Sequence, residues 1–304
     1  DDHTSQAWGI YGGILSDYVK NDGIKRLANN GTVLNNLFCT NSICVPSRAS
    51  ILTGKYSHIN GVYNLPDALS PDSLNIAKIL KENGYQTSII GKWHLKKEPS
   101  GFDYYKVLPG QGLYHDPYFK TVENWEDGYS GGKKEKGFSA DIIGDSSIEW
   151  LSNISRDKPF FMMTHFKATH EPFDYPERHN NLNKDIVFPE PQSLYEFDSN
   201  ESGRKHIGQI VENLTERWLN DTNKNINRYP GMPFTLNTEN KKEIRSITYQ
   251  KFIRDFIRSG ASIDDNIVKL LDYLEKENLI ENTVIIYTSD QGYFLGEHGY
   301  MDKR

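Results

Sequence analysis

Short apolar runs alternate with amphipathic stretches along the chain, and each change of period marks an element. Ser70-Pro71 reads as a helix start, with Ser as N-cap and Pro at the first helical position. Leu74, Ala77 and Leu80 then share one face, and Gly84 closes that helix. The period changes to that of a strand at Gln86–Ile90. Ser139–Ser155 is expected to be helical, and Pro159–Phe166 (PFFMMTHF) a buried strand. Ile263, Ile267, Leu270, Leu271 and Leu274 fall on one face of a further helix. Val33–Phe38 (VLNNLF) and the β-branched run Thr283–Thr288 (TVIIYT) complete the expected strands.

Strand, polar loop and helix in repetition predict an α/β fold. In such folds ligands gather beyond the carboxyl ends of strands. Three strands end in loops rich in reactive groups: Gly91-Lys92-Trp93-His94, Phe166-Lys167-Ala168-Thr169-His170-Glu171 and Ser289-Asp290-Gln291-Gly292. The stretch 180–248 is polar, Asn-rich and weakly periodic, and reads as an insertion over the sheet.

At 304 residues, with 37% hydrophobic and 25% charged content, the chain is long enough for a packed core and too apolar for wholesale disorder. A net charge of −6 argues against a nucleic-acid partner, though not against a local cation cluster for an anionic substrate. No apolar run approaches the ~20 residues of a membrane span. Cys39 and Cys44, the two cysteines, cannot make a disulfide scaffold, although they are close enough in sequence to pair with each other.

Cys44 stands at the head of Cys44-Val45-Pro46-Ser47-Arg48, which reads as the first turn of a helix running to Leu52 and stopping at Gly54. A helix N-terminus favours negative charge, and Arg48 lies one turn further along the same face. Such a place suits an oxyanion nucleophile better than a core thiol. Asp1-Asp2 and Asp290-Gln291 add oxygen donors of the kind that hold a hard cation such as Ca²⁺ or Mg²⁺.

The run from Cys44 to Arg48, continued by Leu52-Thr53-Gly54, resembles the signature of the type I sulfatases. Thr53–Val62 (TGKYSHINGV) also resembles sulfatases that act on sugars, including N-acetylglucosamine-6-sulfatases. Further motifs follow in that family's order across nearly the whole chain. The resemblance implies an alkaline phosphatase-like fold, with a mixed, mostly parallel sheet sandwiched by helices. It implies that Cys44 is oxidised by a formylglycine-generating maturation enzyme to Cα-formylglycine. Asp1, Asp2, Asp290, Gln291 and residue 44 would then hold one divalent ion, calcium being expected. Gln291 stands where the family most often has Asn. Lys92 would bind sulfate and the formylglycine, and His94 would act as base. His170 and Lys303 would serve the leaving-group side, with Arg48 beside the nucleophile; His298 and Arg304 would contact substrate. Of the remaining histidines, His165 reads as a satisfied core residue and His179 and His206 as surface residues, with His3, His58 and His115 left open.

The substrate so implied is a sulfated oligo- or polysaccharide, such as a glycosaminoglycan or algal ulvan, met in the periplasm or outside the cell. Two alternatives remain open from the residues alone. One is a formylglycine-dependent phosphodiesterase or phosphonate monoester hydrolase; the other is a sulfated-glycan binder with Cys44 unmodified. The family's sheet normally has an apolar strand before the Asp-Asp pair, and a smaller subdomain follows Lys303-Arg304. The expectation is therefore that residues 1–304 form a partial catalytic domain. Lys20–Lys25 departs from the family's usual turn without touching a site residue.

Overall fold

β1 (Gln86–Lys92) is buried along nearly its full length and has a parallel neighbour on each side. That placement explains why Thr87 and Ser88 are buried along with Ile89 and Ile90. The structure is a computed structural model and describes residues 1–125, 129–199, 209–224 and 230–304; His206 lies outside the described residues. With β2 (Tyr104–Leu108), β3 (Tyr118–Thr121), β4 (Lys133–Lys134) and β5 (Phe160–His165), β1 forms a mixed sheet in the order β4-β3-β2-β1-β5. Ile89 of β1 stands opposite both Tyr105 of β2 and Met163 of β5, while β3 and β4 are added antiparallel. The helices are α1 (Asp22–Asn29), α2 (Cys44–Thr53), α3 (Ser57–Asn60), α4 (Ile76–Glu82), α5 (Ser139–Asn153), α6 (Val211–Asn223) and α7 (Lys241–Lys276). A small pair of strands, β6 (Phe294–Leu295) and β7 (Met301–Asp302), runs antiparallel.

The chain divides into two compact units. The first comprises Asp1, Asn36–Lys167 and Asp265–Gln291; the second comprises Asp2–Asn35, Ala168–Asp264 and Gly292–Arg304. In the first unit, Ile89, Tyr105 and Val107 pack with Val45, Ala49 and Leu52 of α2 and with Ala77 of α4. α5 lies against β1 and β5, where the Ser147 and Thr164 hydroxyls meet at 3.0 Å. The end of α7 is tied to α5 by Asn266 Nδ2 donating to Asp141 Oδ1 at 3.0 Å and by a 2.9 Å Lys269–Asp145 ion pair.

The second unit has its own core, in which Phe173, Phe252, Phe256 and Tyr293 pack ring against ring. The polar stretch 180–248 supplies Phe188, Leu194, Val211, Leu214, Trp218 and Phe234 to this core. These residues are spaced too irregularly to show as a period in the sequence.

Three expectations are corrected. Val33–Phe38 is not a strand; Leu34, Leu37 and Phe38 are exposed. Thr283–Thr288 joins no ladder among the described residues, and Val284 and Ile286 are exposed. A β-branched run becomes a strand only where a neighbour completes its hydrogen bonds. Ser70-Pro71 builds a turn in which Ser70 Oγ accepts from Asp72 N–H at 3.2 Å. The helix begins later, at Ile76, where Asn75 Oδ1 accepts from Lys78 N–H at 3.0 Å. Cys39 and Cys44 do not form a disulfide with each other. No helix among the described residues is long and apolar enough to cross a membrane.

Gly91 stands at the crossing of β1 and β5. It has φ +105°, and a Cβ there would lie 1.9 Å from the His165 carbonyl oxygen. Gly110 has φ +57° with open space around it. Gly91→Ala is therefore expected to lower unfolding free energy by about 3 kcal/mol or more, and Gly110→Ala by about 1 kcal/mol, because both meet backbone strain but one also meets backbone. Denaturant titration of the two variants measures the difference; equal losses would contradict the close approach.

Candidate active site

α2 starts at Cys44 because Ile43 is extended and serves as N-cap, while Pro46 falls in the first turn, where its missing N–H is no loss. Gly54 ends the helix in the left-handed conformation at φ 66°. Cys44 is thus the first helical residue and is 1% exposed. Gln291 Nε2 lies 3.5 Å from its sulfur. Ser47 Oγ donates to the Asp290 carbonyl, which ties the first turn of the helix to the Asp290-Gln291 loop.

Arg48, one turn on, reaches both carboxylates of the first unit. Its Nη2 lies 3.4 Å from Asp1 Oδ1 and 3.0 Å from Asp290 Oδ2, and its Nη1 donates to the Lys92 carbonyl at 2.9 Å. Lys92, at the carboxyl end of β1 and fully buried, donates to Asp1 Oδ2 and, at 2.6 Å, to Gln111 Oε1. Two buried cations and two buried carboxylates therefore compensate one another, which burial demands. Asp1, Cys44 and Asp290 offer ligand atoms that all lie within 4.8 Å of one another. With the Gln291 amide this donor set is dominated by oxygen and fits a hard divalent cation.

His94 follows β1 in a left-handed conformation and is buried. Burial first, then the charges of Lys92 and Arg48, push its pKa down to about 2. It is a neutral base at any working pH, and among the described residues nothing hydrogen-bonds its Nδ1. His165, expected as a satisfied core residue, is half-buried, and its Nδ1 lies 3.0 Å from the Lys92 carbonyl and 3.4 Å from Arg48 Nη1.

The second unit brings together Asp2, His170 and Lys303. Lys303 Nζ donates to Asp2 Oδ2 at 2.7 Å, and His170 Nε2 lies 3.8 Å from the same oxygen. His170 Nδ1 faces the Glu171 carbonyl at 2.8 Å, so Nδ1 carries a proton and Nε2 is the exchangeable position. Lys303 also lies 3.6 Å from Asp302, which Arg304 holds at 2.8 Å. His298 is exposed, and no described contact joins it to Asp2, His170 or Lys303. His179, expected on the surface, is buried, because it closes a short 3-10 turn (Glu177–His179) that points it inward.

Sequence reasoning missed three polar residues at these groups. Gln111 holds Lys92; its only signal is the turn Gly110-Gln111-Gly112. Ser47 lies inside the Cys44–Arg48 run, which by itself does not reveal that its hydroxyl binds the Asp290 carbonyl. Asp302, also held by Gln209 Nε2 at 2.7 Å, was legible as the acid directly before Lys303-Arg304.

The family model described as Sulfatase matches residues 1–304. The chain is 39% identical over 339 residues to an N-acetylglucosamine-6-O-sulfatase of Bacteroides thetaiotaomicron, covering 100% of this chain and 59% of that protein. A solved structure of a protein in complex with its substrate D-glucosamine-2-N,6-O-disulfate matches with a TM-score of 0.86 and 35% identity, over 99% of this chain and 66% of that one. A phosphonate monoester hydrolase of Silicibacter pomeroyi shares the fold, with a TM-score of 0.65 and 18% identity over 98% of this chain and 63% of that one.

The depressed His94 has a consequence for stability. Its folded pKa lies below the unfolded value, so the unfolded chain takes up the proton first and stability falls as pH drops below about 6.5. At pH 5 this one residue removes about 2 kcal/mol. His94→Gln is expected to lose about 2 kcal/mol less than wild type between pH 7.5 and pH 5, measured by denaturant unfolding. Parallel losses in the two proteins would contradict a neutral, buried His94.

Proposed function

The chain belongs to the sulfatase family, and from that premise we propose that it hydrolyses sulfate esters of a sulfated carbohydrate, with a glucosamine-type sugar bearing a 6-O-sulfate as substrate. The supporting observation is Cys44 at the first position of α2, set among Asp1, Asp290 and Gln291 with Arg48 and Lys92 beside them. The names of the relatives support the sugar: an N-acetylglucosamine-6-O-sulfatase at 39% identity and a structure holding glucosamine disulfate at 35%.

Oxidised to Cα-formylglycine and hydrated, residue 44 supplies a hydroxyl able to attack sulfur. Asp1, Asp290, Gln291 and residue 44, with Asp2 added by the family resemblance, would hold a calcium ion, whose positive charge would make such a hydroxyl more acidic. Arg48 and Lys92 are pre-oriented hydrogen-bond donors for the sulfate oxygens, where negative charge must be stabilised during transfer. By the family resemblance His94 would take a proton during release of sulfate, once the bound anion offsets the Lys92 and Arg48 charges that hold its pKa down. On the leaving-group side, the exchangeable Nε2 of His170 or the Lys303 ammonium gives a proton to the departing sugar oxygen. Because the substrate is a polymer fragment of the kind handled outside the cytoplasm, a periplasmic or secreted place and a dedicated maturation enzyme belong to the same reading.

Sulfate release is the direct test. Wild type is expected to release sulfate from 6-O-sulfated N-acetylglucosamine or glucosamine, and to lose turnover on chelation with recovery on adding calcium. Cys44→Ser should remain folded and lose turnover by about 10³-fold or more, since a serine ester has no aldehyde to regenerate. Undiminished turnover by Cys44→Ser, or hydrolysis of phosphonate monoesters faster than of every sulfated sugar offered, would overturn the reading.

A further inference from the structure

α7 turns one face of the second unit strongly positive. Lys251, Arg254, Asp255 and Arg258 recur at spacings of three and four and so lie on one side of the helix. Together with Tyr175, Asn180, Asn181, Lys184 and Pro230-Gly231, they line an open cavity of about 350 Å³. The lining holds four cations, Lys184, Lys251, Arg254 and Arg258, against one carboxylate, Asp255. That carboxylate is already bound to Lys251.

The two arginines are held by neutral acceptors. Arg254 donates to the carbonyls of Asn183 at 3.2 Å and Ile186 at 2.7 Å. Arg258, 5% exposed, donates to the Leu182 carbonyl at 2.8 Å and to the Tyr175 hydroxyl at 2.9 Å, and stacks on the Tyr175 ring at 5.0 Å. Carbonyls orient a guanidinium but do not neutralise it. Burial, and then the neighbouring charge of Arg258, lower the pKa of Arg254, while Asp255 and Asp185 act in the opposite direction without reversing it. Pinning the segment 182–186 to α7 would account for these carbonyl bonds. It does not account for Lys184, which adds a further positive charge at the exposed rim and whose ammonium makes no hydrogen bond or ion pair among the described residues.

We propose that this cavity binds a sulfate group carried on a sugar ring of the substrate chain, a ring other than the one being hydrolysed. A fixed guanidinium fork matches a tetrahedral oxoanion in two hydrogen bonds, and an ammonium at the rim adds a mobile third contact. The volume exceeds what a bare ion needs and falls in the range of small-ligand sites. The Asn180 and Asn181 amides offer donors and acceptors for ring hydroxyls. None of these residues belongs to the candidate active site. The oxoanion preference stands on the cavity alone; the sugar chain as its carrier rests on the proposed function.

The test uses Lys184→Glu, a change at an exposed residue that leaves the arginine–carbonyl bonds in place, alongside Arg254→Lys, which keeps the charge and removes the fork. Binding of a heparin-derived tetrasaccharide, and of inorganic sulfate, is measured by calorimetry in a Cys44→Ser background so that no turnover intervenes. Each variant is expected to raise the tetrasaccharide Kd about tenfold, the loss of one charge-assisted contact, with melting temperature unchanged in Lys184→Glu. With Cys44 intact, Lys184→Glu should release sulfate from a 6-sulfated monosaccharide at the wild-type rate. An unchanged tetrasaccharide Kd in Lys184→Glu overturns the site. Tetrasaccharide binding no tighter than that of inorganic sulfate, with both weakened equally, reduces it to a small-anion site and overturns the glycan assignment. If wild type releases no sulfate from any sugar while Lys184→Glu still weakens tetrasaccharide binding, the proposed activity fails and the cavity assignment stands.

Discussion

Everything at the first unit's site depends on four buried charges that must cancel. Asp1 and Asp290 are held by Arg48 and Lys92, and none of the four side chains is more than 7% exposed. A pair of unit charges about 4 Å apart interacts by about 4 kcal/mol at an effective dielectric of about 20, and removing one member of a buried pair typically costs about 3–5 kcal/mol. The fold therefore cannot tolerate these groups singly. It must deliver all four at once, and it does so from four places: the segment of Asp1, the first turns of α2, the carboxyl end of β1 and the loop after Thr288. Under the proposed function the same positive charges would face the sulfate oxygens, so what stabilises the fold would also serve the transfer.

Cys44 sits at the centre of this arrangement and is chemically out of place as a thiol. A buried sulfur at a helix N-terminus, beside two carboxylates and two cations, neither fills an apolar core nor makes a disulfide. An oxygen nucleophile would use each of these neighbours. The second unit repeats the principle on a smaller scale, since Asp2 is fully buried and binds Lys303 while facing His170. Along α7 the balance is broken instead of kept, with three cations on one face against a single acid.

What could be read from the sequence was local. Cys44, Arg48 and Gly54 announce α2 because caps, a first-turn proline and a terminating glycine act within a few residues. α5 and β5 were legible because their apolar positions are numerous, and β1 because Gln86–Ile90 follows the glycine that closes a helix. Thr283–Thr288 has strand composition, yet strand formation depends on a neighbour that composition does not reveal. Ser70-Pro71 carries a helix-start signature, but the serine oxygen found Asp72 two residues on and closed a turn, leaving Asn75 to cap the helix. The core of the second unit was hidden because Phe188, Trp218 and Phe234 lie far apart in a polar stretch. Gln111 became visible as a partner of Lys92 only once the sheet had brought β1 and the loop after β2 together.

The central claim is that residue 44 works as an aldehyde and not as a thiol. The most direct measurement is the mass of the peptide containing residue 44, taken from catalytically active protein produced together with a formylglycine-generating enzyme and analysed after drying to remove the hydrate. The account predicts a peptide about 18 Da lighter than the cysteine form, the loss of sulfur and two hydrogens with the gain of one oxygen. A fully active preparation in which every copy of that peptide has the cysteine mass and is alkylated by iodoacetamide would contradict it.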